Sequence, residues 1–269
     1  MILYNLRHWP STTIVQALYT LKKKRFQSRR DRFILIACFP RSASNFLAYL
    51  LSESTGYPRI TLKLAHGFFH DVIHLPKLVD QMLKKTVIDQ HLRATYLTRS
   101  ILTELKIKPI VLVRNIFDVV VSYNDYITQR GYSPLDPDRK DLAPEFCMEY
   151  PHFDDSKKYD YLIDTVIPWY ISFYVSWFHY TLNTNDIEAY WIKYEDLVKE
   201  PKKILSDIFA FYNLSIPPSI VDSILTRNEK VNFNKGISGR GNRLSETQKE
   251  KIRKMASYHP NVNFAMMGL

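Results

Sequence analysis

Glycine is scarce in this chain. Of 269 residues only seven are glycine, and three of those fall together near the C-terminus. The Gly-rich P-loop GxxxxGK[ST], whose backbone cradles nucleoside triphosphates, is absent. Nothing resembles an acidic magnesium ligand at a strand end either, which argues against ATP- or GTP-hydrolysing chemistry. Cysteine is scarcer still: Cys38 and Cys147 are too few for a disulfide framework and point to a reducing compartment. No apolar run reaches the length of a membrane span, and the first residues lack the apolar core of a signal peptide, so the expectation is a cytoplasmic protein. Internal repeats and a dividing linker are also missing.

Acidic residues are outnumbered, 27 Asp and Glu against 37 Lys and Arg, for a net charge of +10. That surplus suggests nucleic acid until it is located. Residues 1–32 hold eight Lys or Arg against one Asp, so only three of the ten net charges belong to the other 237 residues. A nearly neutral body with a basic N-terminal segment is no nucleic-acid surface. The segment is either solvated or peripheral to anionic surfaces. Apolar content of 46% is ample for one core, so residues 33–269 read as a single domain.

What is present begins with Phe33 to Phe39, a short apolar run suited to a strand buried on both faces. Pro40 ends it, Arg41, Ser42, Ala43 and Ser44 form a small cationic loop, and Phe46, Leu47, Leu50 and Leu51 begin a helical pattern. Strand, tight loop and helix build an anion cradle, because the first-turn N–H groups and the helix dipole face the loop and Arg41 adds a fork of hydrogen bonds. A second such unit follows. Ile110 to Val113 reads as a buried strand, then come Arg114, a helix capped by Asn115, Asp118 reaching back in a variant capping box, and Ser122 one turn on. Arg114 either builds a second anion site or pairs with Asp118.

Elsewhere the residues carry less. His66, His70 and His74 share a four-residue spacing, but no Cys or Glu completes a zinc set, so lining or surface histidines are expected. Lys85 to Gln90 reads as a strand with His91 just past its end, at the edge where open α/β sheets bind ligands. Residues 130–158 read as a long loop, and Tyr159 to Leu182 as an aromatic helix with Trp169, Phe173 and Trp177 in the core. A strand over Glu188 to Lys193 ends at Tyr194-Glu195-Asp196, and Pro201 opens a helix. The segment Asn234 to Glu246, with Lys235, Gly236, Arg240 and Arg243, is either a solvated loop or a cationic clasp whose backbone can approach a phosphate. Alternating strands and helices predict an α/β fold with a mainly parallel central sheet.

Pro40 to Phe46, the Arg114, Asn115, Asp118, Ser122 set, Tyr194-Glu195-Asp196 with Pro201, and Lys235-Gly236 occur in the order seen in sulfotransferases that use 3′-phosphoadenosine 5′-phosphosulfate (PAPS). The chain resembles that family from Phe33 to about Leu244. The resemblance implies a P-loop NTPase-like three-layer fold, PAPS as co-substrate with no metal required, and sulfuryl transfer to a hydroxyl or amine of a small molecule or glycan. It implies that the backbone of Ser42, Ala43, Ser44 and Asn45 holds the 5′-phosphosulfate and that Arg41 neutralises the bridging oxygen. Arg114 and Ser122 then bind the 3′-phosphate, Lys235, Gly236 and Arg240 close over it, and Phe46 and Tyr194 contact adenine. The general base is His91 or His74, and the position of His91 on the sheet favours it. Two departures stand out: Ala43 replaces the family's loop glycine, and Asp89 replaces a common lysine two residues before the base. The competing readings are an ATP-dependent small-molecule or nucleotide kinase and a binding relative without chemistry.

Overall fold

The computed structural model describes residues 20, 23–25, 33–62, 73–129, 149–183, 187–228 and 238–269. At its centre β1 (Phe33–Cys38), β2 (Arg59–Ile60), β3 (Thr86–His91), β4 (Pro109–Val113) and β5 (Tyr190–Lys193) form one sheet in the order β2-β3-β1-β4-β5. All four neighbouring pairs are parallel. The buried character of β1 and β4 follows from this placement: each is flanked by strands and covered on both faces, so every residue of both is buried. The chain leaves β1 to build β2 and β3 on one side, then returns to build β4 and β5 on the other. β1 is therefore the topological switch point, where open α/β sheets form their ligand crevice.

Register aligns the loops. Cys38 sits opposite His91 in β3 and Leu112 in β4, so the turns after β1, β3 and β4 leave from one edge. α1 (Ser44–Thr55) covers one face, burying Leu47, Ala48, Leu50 and Leu51 at helical spacing. Ile34, Ile36 and Cys38 pack there with Leu197 of α7 (Tyr194–Lys199), Leu205 and Ile208 of α8 (Pro201–Phe211), and Val221 of α9 (Pro218–Asn228). The opposite face carries α2 (Leu75–Gln81), α3 (Tyr96–Leu105), α4 (Ile116–Gln129), α5 (Asp155–Thr165), α6 (Ile167–Phe178) and α10 (Glu246–Ser257). These three layers are the expected α/β fold.

Local differences have local causes. β3 runs one residue further, placing His91 inside the strand because it pairs with Cys38. The aromatic stretch is two helices broken at Val166, where Pro168 enters the first turn of α6. The expected long loop is shorter at its C-terminal end: a 3₁₀ turn spans Tyr150–His152, and Asp154 caps α5 through the Lys157 amide. Residues 130–148 lie outside the described set. Phe173 and Trp177 are fully buried as expected, and Trp169 is partly buried beside them. The Trp177 indole N–H donates to the Leu92 carbonyl at 2.7 Å, tying α6 to the segment after β3. Among the described residues no helix is long and apolar enough to cross a membrane.

Trp177→Phe keeps the ring but strands the buried Leu92 carbonyl. It should lower unfolding stability by about 1–3 kcal/mol, read as a reduced urea midpoint with unchanged slope.

Candidate active site at the sheet edge

The turn after β1 is held in an unusual backbone. Arg41 and Ala43 both adopt φ 69°, in the left-handed region where a Cβ is strained. Ala43 caps α1 with no side-chain bond, its carbonyl instead accepting the N–H groups of Phe46 and Leu47 at 3.1 Å. Ala43, which stands where the family's loop has glycine, thus takes the strained left-handed conformation. It is braced by two contacts: the Ser42 hydroxyl donates to the Phe39 carbonyl at 2.7 Å, and the Tyr170 hydroxyl of α6 donates to the Pro40 carbonyl at 3.2 Å. Phe39 is wedged edge-on against Tyr170 and Phe173. Among the described residues, the backbone N–H groups of Ser42, Ala43, Ser44 and Asn45 find no acceptor. Four unspent donors at a helix N-terminus are what an anion with several oxygens requires.

Arg114, one residue beyond β4, comes directly onto this turn. Its Nη1 donates to the Arg41 carbonyl at 2.8 Å and to the Ser122 hydroxyl at 3.4 Å. The same hydroxyl accepts from Arg41 Nε at 3.3 Å. Two guanidinium groups and a serine 81 residues from the first thus converge on one point. Burial holds both guanidinium groups below the ordinary arginine range, and repulsion from Arg240 adds to the effect on each. Each also lies over a ring: Arg41 is 4.6 Å from the Tyr126 centroid and Arg114 is 4.0 Å from that of Tyr194. Tyr194, expected to contact adenine, is buried and supports Arg114 with one face of its ring. Phe46 is half-buried against the layer under α1.

α4 serves as the frame. Asn115 caps it as expected, its Oδ1 accepting from the Phe117 and Asp118 amides at 3.0 and 3.2 Å. Asp118 does not reach back to complete a capping box. Its two carboxylate oxygens accept the N–H groups of Gly239 at 2.9 Å and Gly241 at 2.7 Å, 121 and 123 residues away. Gly241 has to be glycine, because a Cβ there would come within 2.4 Å of the Phe117 Cβ and 3.0 Å of its backbone. Two turns along, Asp125 pairs with Arg240 and Arg243. Asp118, Ser122 and Asp125 lie on one face of α4, so a single helix holds both arginines and the C-terminal segment. Lys235 and Gly236 lie outside the described residues, as do His66 and His70.

The two candidate bases differ in situation. His91 ends β3 beside Cys38, at the same edge as the Arg41 turn. His74 is the N-cap of α2, its Nδ1 accepting from the Lys77 amide at 3.2 Å. No group of three or more His, Cys, Asp or Glu suited to a metal occurs among the described residues.

A family model described as "Sulfotransferase domain" matches residues 12–260. The chain belongs to the sulfotransferase family. A solved structure of mouse sulfotransferase SULT7A1 complexed with PAP is similar in fold, with a TM-score of 0.62 over 88% of this chain and 87% of that one, at 16% identity. No curated relative matches significantly. For this sulfotransferase, the residues missed from the sequence are Tyr126, Tyr170, Asp125 and Arg59. Tyr126 follows Ser122 by four residues, a spacing that would have placed it on the same helix face. Tyr170 lies 130 residues from Pro40 and left no sequence signal.

Ala43→Gly should relieve the left-handed strain and raise unfolding stability by about 0.5–1 kcal/mol in chemical denaturation. Gly241→Ala should do the reverse, costing about 1–3 kcal/mol by forcing the C-terminal segment off α4.

Proposed function

We propose that this sulfotransferase moves the sulfuryl group of PAPS onto a hydroxyl or amine acceptor, with a carbohydrate among the candidates, by in-line displacement. The observation that carries the reading is the convergence of Arg41, Arg114 and Ser122 on a turn with four unspent backbone N–H groups. PAPS carries a phosphosulfate at its 5′ end and a phosphate at 3′, and two adjoining anion cradles suit a ligand charged at both ends. The amides of residues 42–45 would take the 5′-phosphosulfate. Arg114 and Ser122 would take the 3′-phosphate, with Arg240, Lys235 and Gly236 closing over it and Phe46 and Tyr194 flanking the base.

In the transfer the acceptor oxygen or nitrogen bonds to sulfur while the bond from sulfur to the bridging oxygen breaks. The electron pair stays on the 5′-phosphate, and adenosine 3′,5′-bisphosphate (PAP) leaves. Arg41 stabilises the charge growing on that oxygen, so protein cations supply the electrostatic work. His91 takes the acceptor proton, a role its place beside Cys38 supports and the capping bond of His74 leaves it to fill. The buried thiol of Cys38 accords with a reducing, cytoplasmic setting. We read residues 1–32 as a basic segment ahead of a single domain, either solvated or peripheral to anionic surfaces.

Calorimetric titration should show PAP binding far more tightly than ATP. Arg114→Ala should weaken PAP by about 10- to 100-fold while leaving adenosine 5′-phosphosulfate, which lacks the 3′-phosphate, within about threefold. Equal losses for the two ligands would remove Arg114 from the 3′ site. His91→Ala should hold PAP affinity within about twofold and reduce transfer by about 10²- to 10⁴-fold. Unchanged transfer would reassign the base.

A further inference from the structure

We propose that Arg59 and Asp89 are positioning residues for the sulfuryl-donor site, acting through the side-chain amide of Asn45. The inference rests on the reading above, in which the first turn of α1 holds the 5′ end of the donor. It starts from an oddity of the sequence, an acid at residue 89, two residues before the assigned base, in a site that handles anions.

β2 is two residues long and sits at the sheet edge, with Arg59 opposite Val87 and Ile60 opposite Ile88. Parallel partners in register point to the same face. Val87 packs into the layer under α1, so Arg59 lies on that face, and Asp89 shares it by alternation. The Arg59 Nη2 then bridges two groups. It donates to Asp89 Oδ1 at 3.0 Å and to Asn45 Oδ1 at 2.9 Å. Asn45 is the second residue of α1, on the turn whose backbone N–H groups are unspent.

The chemistry of these groups sets the orientation of the amide. A guanidinium only donates, so the Asn45 atom facing it is the oxygen, and the NH₂ group lies on the other side of Cγ. Among the described residues that NH₂ has no acceptor. Its two hydrogens therefore join the backbone N–H groups of the same turn as donors for phosphosulfate oxygens. Released from Arg59, the amide could rotate and offer its oxygen, which an anion repels. Asp89 in turn keeps Arg59 aimed and meets a cation of its own, so it does not confront the sulfuryl group as a bare charge. The side chains of Arg59 and Asp89 are 34% and 19% exposed. A pair so hydrated adds little to stability, which leaves orientation as its contribution.

The test is the PAP dissociation constant by calorimetry on the full chain, with far-UV circular dichroism and the thermal midpoint recorded for each variant. R59A combined with D89N removes one charge of each sign, so net charge is unchanged and any loss reflects orientation. It should weaken PAP by about five- to tenfold, the range of a lost oriented hydrogen bond. N45A alone should weaken PAP by a similar factor, and the triple variant should be no weaker than N45A by more than about twofold, because Arg59 works through that amide. R59K, whose ammonium can still donate to Asn45 Oδ1, should stay within about twofold of wild type. Multiplying losses in the triple variant, or wild-type affinity in R59A with D89N, would overturn the proposal. Failure of the unmodified chain to bind PAP would instead remove the donor reading beneath it.

Discussion

Two like-charged guanidinium groups held against one hydroxyl are the constraint around which the molecule is built. Arg41 and Arg114 both donate to Ser122 Oγ, and each is pushed below the ordinary arginine range first by burial. Without a ligand such an arrangement repels itself and forgoes hydration, so the fold must hold it by other means. Several are visible. Arg114 is anchored by the Arg41 carbonyl, the two cations lie over Tyr126 and Tyr194, and the turn between them is braced by Phe39, Tyr170 and Ser42. Under the proposed reading, stability is given up there so that charge stands ready for an anion, a common arrangement at sites that stabilise developing negative charge.

The same logic accounts for the strain. Positive φ at Arg41 and Ala43 accompanies a turn whose N–H groups at residues 42–45 find no acceptor among the described residues, and the cost falls on a loop fixed at both ends by elements that cannot move freely. β1 precedes it, fully buried at the switch point of the sheet, and α1 follows, locked by its apolar face. α4 then transmits rigidity across the site. Its first turn binds Gly239 and Gly241 through Asp118, its second presents Ser122, and its third holds Arg240 through Asp125. The C-terminal segment is therefore fastened to the same element that presents Ser122 to Arg114, which ties its position to the geometry of that arginine.

Much of this was legible because the information is local. A seven-residue apolar run ended by proline suits a short buried strand, and Asn115 caps α4 because its side chain reaches the amides two and three residues on. The arginine pair was readable too, since each lies at the junction of a strand and a helix. Asp118 was misjudged for a physical reason. A carboxylate in a first helical turn has a local option, reaching back to the cap, and a remote one, and the Gly239 and Gly241 amides provide two well-aligned donors where the cap provides one. At Tyr194 the place after a strand was clear, but not that its ring would lie under a guanidinium.

By itself, then, the sequence determined most of the strands and helices, the mainly parallel sheet, the two cationic strand ends and the Asn115 cap, all set by periodicity and by bonds spanning a few positions, but not the two-residue edge strand at Arg59–Ile60. Only the tertiary structure decided that one hydroxyl would serve two arginines, that Asp118 would turn to the glycines, and that Arg59 would stand between Asp89 and Asn45. Those contacts join residues 8 to 123 positions apart. Their geometry is set by strand register and by the packing of α1, α4 and α6 on the sheet, which no run of neighbouring residues encodes.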